Sequence, residues 1–210
     1  MSVPYFKLSQ DEVNQKIDKL VQYLVDCKMD DVCVINPKEL IFDKKVRMKC
    51  RYACRVYNTN LRCPPNAPSV EECKEYVHSF EKGIIYRKTA PADHFAGEDA
   101  KKDYKWTKVS KFIQDTSAEL ESMAFYEGFY LAMAFGAGRC RQCVDIGGKC
   151  QGLADGVCRH QLESRPSLEG IGVDLIRSIS NLNWNFSIIG KRSEIADIEI
   201  AGYIGFIALY

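Results

Sequence analysis

Ten of the 210 residues are cysteine, and seven of them fall in two groups whose spacing suits metal chemistry. The denser group is Cys140, Cys143, Cys150 and Cys158, spaced Cys-x2-Cys-x6-Cys-x7-Cys in glycine-rich sequence. Four thiolates suit a [4Fe–4S] cluster or a tetrahedral zinc ion. Structural zinc commonly takes two short Cys-x2-4-Cys knuckles. Here a single knuckle is followed by wider steps, which favours the larger cluster. The looser group is Cys50, Cys54 and Cys63, with Pro64 directly after Cys63, as a proline follows a ligand cysteine in ferredoxin-type runs. Three ligands leave one iron without a thiolate. Cys73 could supply it, but Cys73 falls on the apolar stripe of an expected helix, where cysteine packs as a small hydrophobe. The first site is then expected to have an iron that is open, or closed by a distant side chain or an exogenous ligand. An open metal position is what a catalytic centre needs and a structural one avoids.

Basic residues crowd both groups: Lys49, Arg51, Arg55, Arg62, Arg139, Arg141, Lys149 and Arg159. Positive charge favours thiolate over thiol and offsets the negative charge of a thiolate-ligated cluster. His160, beside Cys158, could hydrogen-bond a cluster sulfur or ligate; an ordinary loop histidine is the plainer reading. Cys27 and Cys33 read as packing residues. No Walker-type phosphate loop occurs, and Gly136-Ala137-Gly138 lacks the third glycine of a dinucleotide fingerprint. No Ser/His/Asp or Cys/His pair stands out as a nucleophile.

The elements that must position these residues are partly marked. Ser9 with Glu12 is a capping box, and Val13, Ile17, Leu20, Val21 and Leu24 form one face of a helix expected over 10–27. Ser69 with Glu72 is a second capping box, opening a helix that carries Val70, Cys73, Val77 and Phe80. Trp106, Val109, Ile113, Leu120 and Ala124 mark a long helix over 104–127. A further helix is expected from Leu168 to Leu182. Strands are expected within Leu40 to Met48, at Val32 to Ile35, Ile84 to Tyr86, Phe129 to Phe135, Trp184 to Ile189, and Ile198 to Tyr210, the last as one strand or two. Pro91 to Lys102, with His94, reads as an exposed loop.

The parts fall in the same order twice. An apolar segment leads to Lys49-Cys50-Arg51, a cysteine loop, Pro68-Ser69-Val70-Glu71, a helix and a strand. Another leads to Arg139-Cys140-Arg141, a cysteine loop, Pro166-Ser167-Leu168-Glu169, a helix and a strand. Two strand–Cys loop–helix–strand units, with loops at 50–63 and 140–158, predict an α+β fold. Its sheet would be mixed, with helices mainly on one face and pseudo-twofold character. The length suits a single domain over 1–210. Apolar content of 46%, charged content of 27% and a net charge of +1 are ordinary for a soluble protein and give no bulk attraction to nucleic acid or anionic membrane. No secretory leader is expected in the first residues, and the apolar C-terminal run is too short to span a bilayer. Clustered cysteines without a leader point to metal rather than disulfides.

At these residues the sequence resembles DUF2284, a family of predicted metal-binding proteins found largely in anaerobic bacteria and archaea. The matching pieces are Cys50, Cys54 and Cys63-Pro64-Pro65, then Phe135 to Cys143, then Cys158-Arg159-His160, and Arg165 to Glu169 with Gly172-Val173-Asp174. The resemblance implies a metal, with iron–sulfur as the expectation, and an anaerobe's cytoplasm. It carries no settled activity. The chain departs from the family's usual pattern in its third cysteine of the second loop, delayed to Cys150, and in Gln161, where a proline is usual.

The leading expectation is therefore a cytoplasmic protein with two [4Fe–4S] clusters, transferring electrons to or from a redox protein partner, without nucleic acid or membrane. The alternatives are an enzyme binding substrate or sulfide at an open iron of the first cluster, and a zinc-stabilised interaction module.

Overall fold

A computed structural model describes residues 8–98, 100, 104–143 and 150–210. The chain is α+β. Strands β1 (Asp31–Ile35), β2 (Gly83–Ala90), β3 (Met133–Phe135) and β4 (Ala201–Ala208) form one sheet in the order β1-β2-β4-β3. β2 and β4 pair along their whole lengths, from Gly83 opposite Ala208 to Ala90 opposite Ala201. Their near-continuous apolar runs reflect burial on both faces. Ile84, Tyr86 and Ile207 face one layer, and Ile85, Ile204 and Phe206 face the other. The Tyr86 ring crosses β4 at Gly205, where a Cβ would lie 2.4 Å from the ring, and its hydroxyl meets Ser117 Oγ at 2.6 Å.

The first layer holds the two long helices, α1 (Gln10–Asp26) and α4 (Trp106–Tyr126). α1 begins as the capping box dictates: Ser9 Oγ accepts the Glu12 amide at 3.3 Å and Glu12 accepts the Ser9 amide at 2.8 Å. It buries Val13, Ile17, Leu20 and Leu24. Lys16 and Lys19 reach Glu127, at the end of α4. The opposite layer is built from α3 (Val70–His78), α5 (Leu175–Ser180) and the intervening segment 168–173. The Ser69 box caps α3 in the same way.

Several expectations are corrected. Helices cover both faces of the sheet rather than mainly one. Every described strand pair is antiparallel, so the described sheet is not mixed. The one described parallel contact is an isolated bridge between Gly136 and Ser167. Within Leu40 to Met48, Phe42 alone pairs, with Val173. Asp43 then caps α2 (Lys44–Ala53), accepting the Lys45 amide at 2.8 Å. Lysine, arginine and methionine are good helix formers and prevail over the short apolar pattern. The helix expected from Leu168 is split at Gly172, whose φ of +99° ends a 3₁₀ turn (Glu169–Ile171) before Asp174 caps α5. A Cβ at Gly172 would sit 2.8 Å from Val70. Trp184 to Ile189 forms no strand. Its backbone instead serves Arg87, whose guanidinium lies 5.2 Å from the Trp184 ring and donates to the Asn185 carbonyl at 2.7 Å. The first cysteine segment therefore follows a helix and the second follows a strand, and the two units do not share an element order.

Candidate metal centre

Cys50 lies in the last turn of α2 and Cys54 at its C-cap, where the Cys54 amide donates to the Cys50 carbonyl at 3.3 Å. The Cys-x3-Cys spacing is thus one helical turn, which sets both thiols on one side of the helix. α2 buries no residue of its own. Arg47 anchors it, donating to the carbonyls of Pro68 at 2.9 Å, Gly170 at 3.0 Å and Ala67 at 3.4 Å. Asp43 adds a backbone bond to Gly172 at 2.9 Å. The chain then returns to Cys63 through a loop tied by Asn66, whose side-chain amide reaches Asn58 Oδ1 and the Asn60 carbonyl, both at 3.1 Å.

Cys50, Cys54 and Cys63 line one cavity of about 190 Å³, together with Gly138, Arg139 and Glu169 from the other half of the chain. One water occupies only ~30 Å³ in the liquid, so the space exceeds that of a lone ion. Burial pushes the Cys50 thiol up, and Cys54, Cys63 and Glu169 add to the rise while Arg47 opposes it. Burial likewise raises Cys63, with Cys54 and Cys140 adding to it. The Asn60 side chain and the Cys140 amide act the other way, favouring thiolate. Asn60 is itself buried, and apart from the Cys63 thiol its Nδ2 has no acceptor. An N–H with no other acceptor beside a crowded thiol set fits a bound thiolate or inorganic sulfur, which would accept from it.

The second loop meets the first at Cys63. Cys140 Sγ lies 3.1 Å from Ser164 Oγ, which also accepts from Arg62 Nε at 3.0 Å. Gly152 packs so closely that a Cβ would lie 2.8 Å from the Leu61 side chain and 2.3 Å from the Val157 carbonyl oxygen. Cys143, Cys150 and Cys158 are half-buried. Among the described residues, no three His, Cys, Asp or Glu side chains are gathered tightly enough to share one metal ion. The stretch between Cys143 and Cys150, with the base Lys149, and residues 99, 101 and 102 of the Pro91 to Lys102 segment lie outside the described residues. All ten cysteines are free. Cys27 ends α1 and Cys33 lies in β1. Cys73 is buried in the second core layer and lines a separate apolar cavity of about 420 Å³. His160 stands 3.8 Å from Glu163.

Of the basic residues, Arg139 lines the thiol cavity. Arg141 is held 4.9 Å from the Trp106 ring, Arg159 pairs with Asp155, and Arg51 lies over Tyr52. Sequence reasoning missed Glu169 and Asn60. Glu169 read as a helix-start acid beside Ser167, and no local pattern marks a residue that reaches a cavity built by a distant helix.

Fold and site together define an α+β protein with a thiol-lined cavity suited to metal. The family model described as "Predicted metal-binding protein (DUF2284)" matches residues 33–207, and the chain belongs to that family. No curated protein and no solved structure matches the chain significantly. Among the described residues, no helix is long and apolar enough to cross a membrane.

Proposed function

We propose that the chain carries two [4Fe–4S] clusters and passes single electrons to or from a redox protein partner, in the reducing cytoplasm of an anaerobe. Cys50, Cys54 and Cys63 hold one cluster. Cys140, Cys143, Cys150 and Cys158 hold the other. The carrying observation is the approach of the two loops, where Gly138 and Arg139, directly before Cys140, line the same cavity as Cys50, Cys54 and Cys63. Centres ligated through neighbouring cysteines lie close enough for an electron entering at one to leave by the other. A [4Fe–4S] cluster supplies one-electron chemistry at a potential tuned by hydrogen bonds to sulfur and by exposure. The chain's own part is to space the thiolates and aim N–H donors at them. The wide thiol set favours a cluster over a single zinc ion, whose Zn–S bonds of ~2.3 Å would draw four ligands into a tight shell.

Iron and acid-labile sulfide are measured on protein purified without oxygen. About eight of each per chain are expected for two four-iron clusters. A colourless protein with stoichiometric zinc overturns the reading.

A further inference from the structure

We infer that Glu169 is the fourth ligand of the centre held by Cys50, Cys54 and Cys63, its carboxylate taking the corner for which the first loop supplies no cysteine. This rests on the iron–sulfur reading above. Glu169 and the three thiols share one cavity. Their relative placement is fixed by a single clamp, because α2 carries Cys50 and also Arg47, which grips the Gly170 carbonyl directly after Glu169. The Asp43–Gly172 backbone bond, at the other end of α2, holds the same turn.

Among the described residues no lysine or arginine forms an ion pair with Glu169. Arg139 lines the same cavity and supplies positive charge there without pairing with the carboxylate. Glu169 is half-buried, and covering a carboxylate is costly unless it is paired or ligates a metal. A metal corner gives it that partner, and Ser167, on the same cavity wall, is placed to orient the ligand as outer hydrogen-bond partners of metal ligands do.

The other nearby thiols face elsewhere. Cys73 lines the separate apolar cavity, and Cys140 is engaged by Ser164. Oxygen is a harder donor than sulfur and binds iron less firmly than thiolate does. The Glu169 corner is therefore the exchangeable one, where a small thiol could replace the carboxylate.

The test compares wild type, Glu169→Ala and Glu169→Cys, each purified without oxygen and titrated with ferricyanide. Ferricyanide takes one electron per cluster as a ferrous ion leaves. Iron and sulfide are counted and electron paramagnetic resonance spectra recorded. In Glu169→Ala, roughly one iron of the first site's four is expected to be lost under oxidation that wild type withstands. Glu169→Cys should retain that iron, and its spectrum should differ from wild type because a thiolate has replaced an oxygen ligand. Dithiothreitol should shift the spectrum of wild type and leave that of Glu169→Cys unchanged. Should Glu169→Ala fail to fold, Glu169→Cys decides alone: a spectrum identical to wild type overturns the assignment. An alanine variant that keeps all its iron overturns it too. Either result, with about eight irons in wild type, sinks the Glu169 ligand and leaves the two-cluster reading standing. Wild type without iron and sulfide sinks both.

Discussion

Cys63 and Cys73 are close in sequence and sit in different chemistry. Cys63 lies on the thiol cavity, within reach of Cys54 and Cys140. Cys73 is 7% exposed among Val77, Ile85, Phe135 and Ile171, and its thiol makes one long contact, 3.8 Å from the Pro68 carbonyl. Cys73→Ala removes one sulfur from a packed site and is expected to cost about 1 kcal/mol in stability, with bound iron unchanged. Cys63→Ala is expected to empty the first site and roughly halve iron and sulfide. Chemical denaturation and metal analysis of the two variants, side by side, check this. Equal metal loss in both would make Cys73 a ligand. The sequence already set Cys73 on an apolar stripe, since helical period and Ser69 capping are local signals. The reach of Glu169 into the cavity was not legible, because it depends on α2 docking against a turn more than a hundred residues later.

α4 and the end of the second cysteine loop are joined by an ion pair between buried Arg165 and half-buried Glu121. Arg165 Nε and Nη2 donate to the two carboxylate oxygens of Glu121 at 2.8 and 2.6 Å. Arg165 also donates to the Gln161 and Ser164 carbonyls. Glu121 accepts from the Ala134 amide in β3 at 2.7 Å. One carboxylate thus holds helix, strand and loop together. Glu121→Leu leaves the guanidinium buried without its carboxylate partner and is expected to cost about 3 kcal/mol. The double variant Glu121→Leu/Arg165→Met should cost less than the sum of the two single changes, because no charge is then stranded. Urea denaturation of the four proteins measures this, and strict additivity would rule out the clamp. Elements of this kind divide sharply in legibility. α1, α3 and α4 follow from capping boxes and helical stripes. α2 and the loose 184–189 segment do not. Short apolar patterns there matched strands, while helix-forming side chains and a buried Arg87 settled the outcome. The antiparallel strand order β1-β2-β4-β3 has no local signature, because it is fixed by which faces the two helix layers cover.

The molecule as a whole is unevenly held. Its apolar clusters lie on the two faces of the sheet, where Ile84, Tyr86, Ile113, Leu120 and Ile207 are fully buried on one side and Leu168 and Phe206 on the other. The cysteine segments contribute little to either. α2 buries nothing, and Tyr52, Leu153, Val157 and Leu162 are exposed. Around the first cavity the anchors are Arg47 and a few backbone bonds, and burial with the charge of neighbouring thiols pushes the Cys50 and Cys63 thiols up. Metal binding takes deprotonated thiolates, so it releases the protons that this crowding holds on and converts mutual repulsion into shared ligation. Metal removal should therefore loosen the loops and spare the sheet, since segments with few buried apolar contacts open first. Hydrogen exchange on metal-loaded and chelator-stripped protein is expected to show amides of 50–67 and 150–165 losing protection by tenfold or more, about 1.4 kcal/mol of local stability, while those of β2 and β4 change little. Uniform loss across the chain would mean that the metal holds the core itself. No change in the loops would mean that protein contacts alone position the thiols, and that the cavity is formed before any metal arrives.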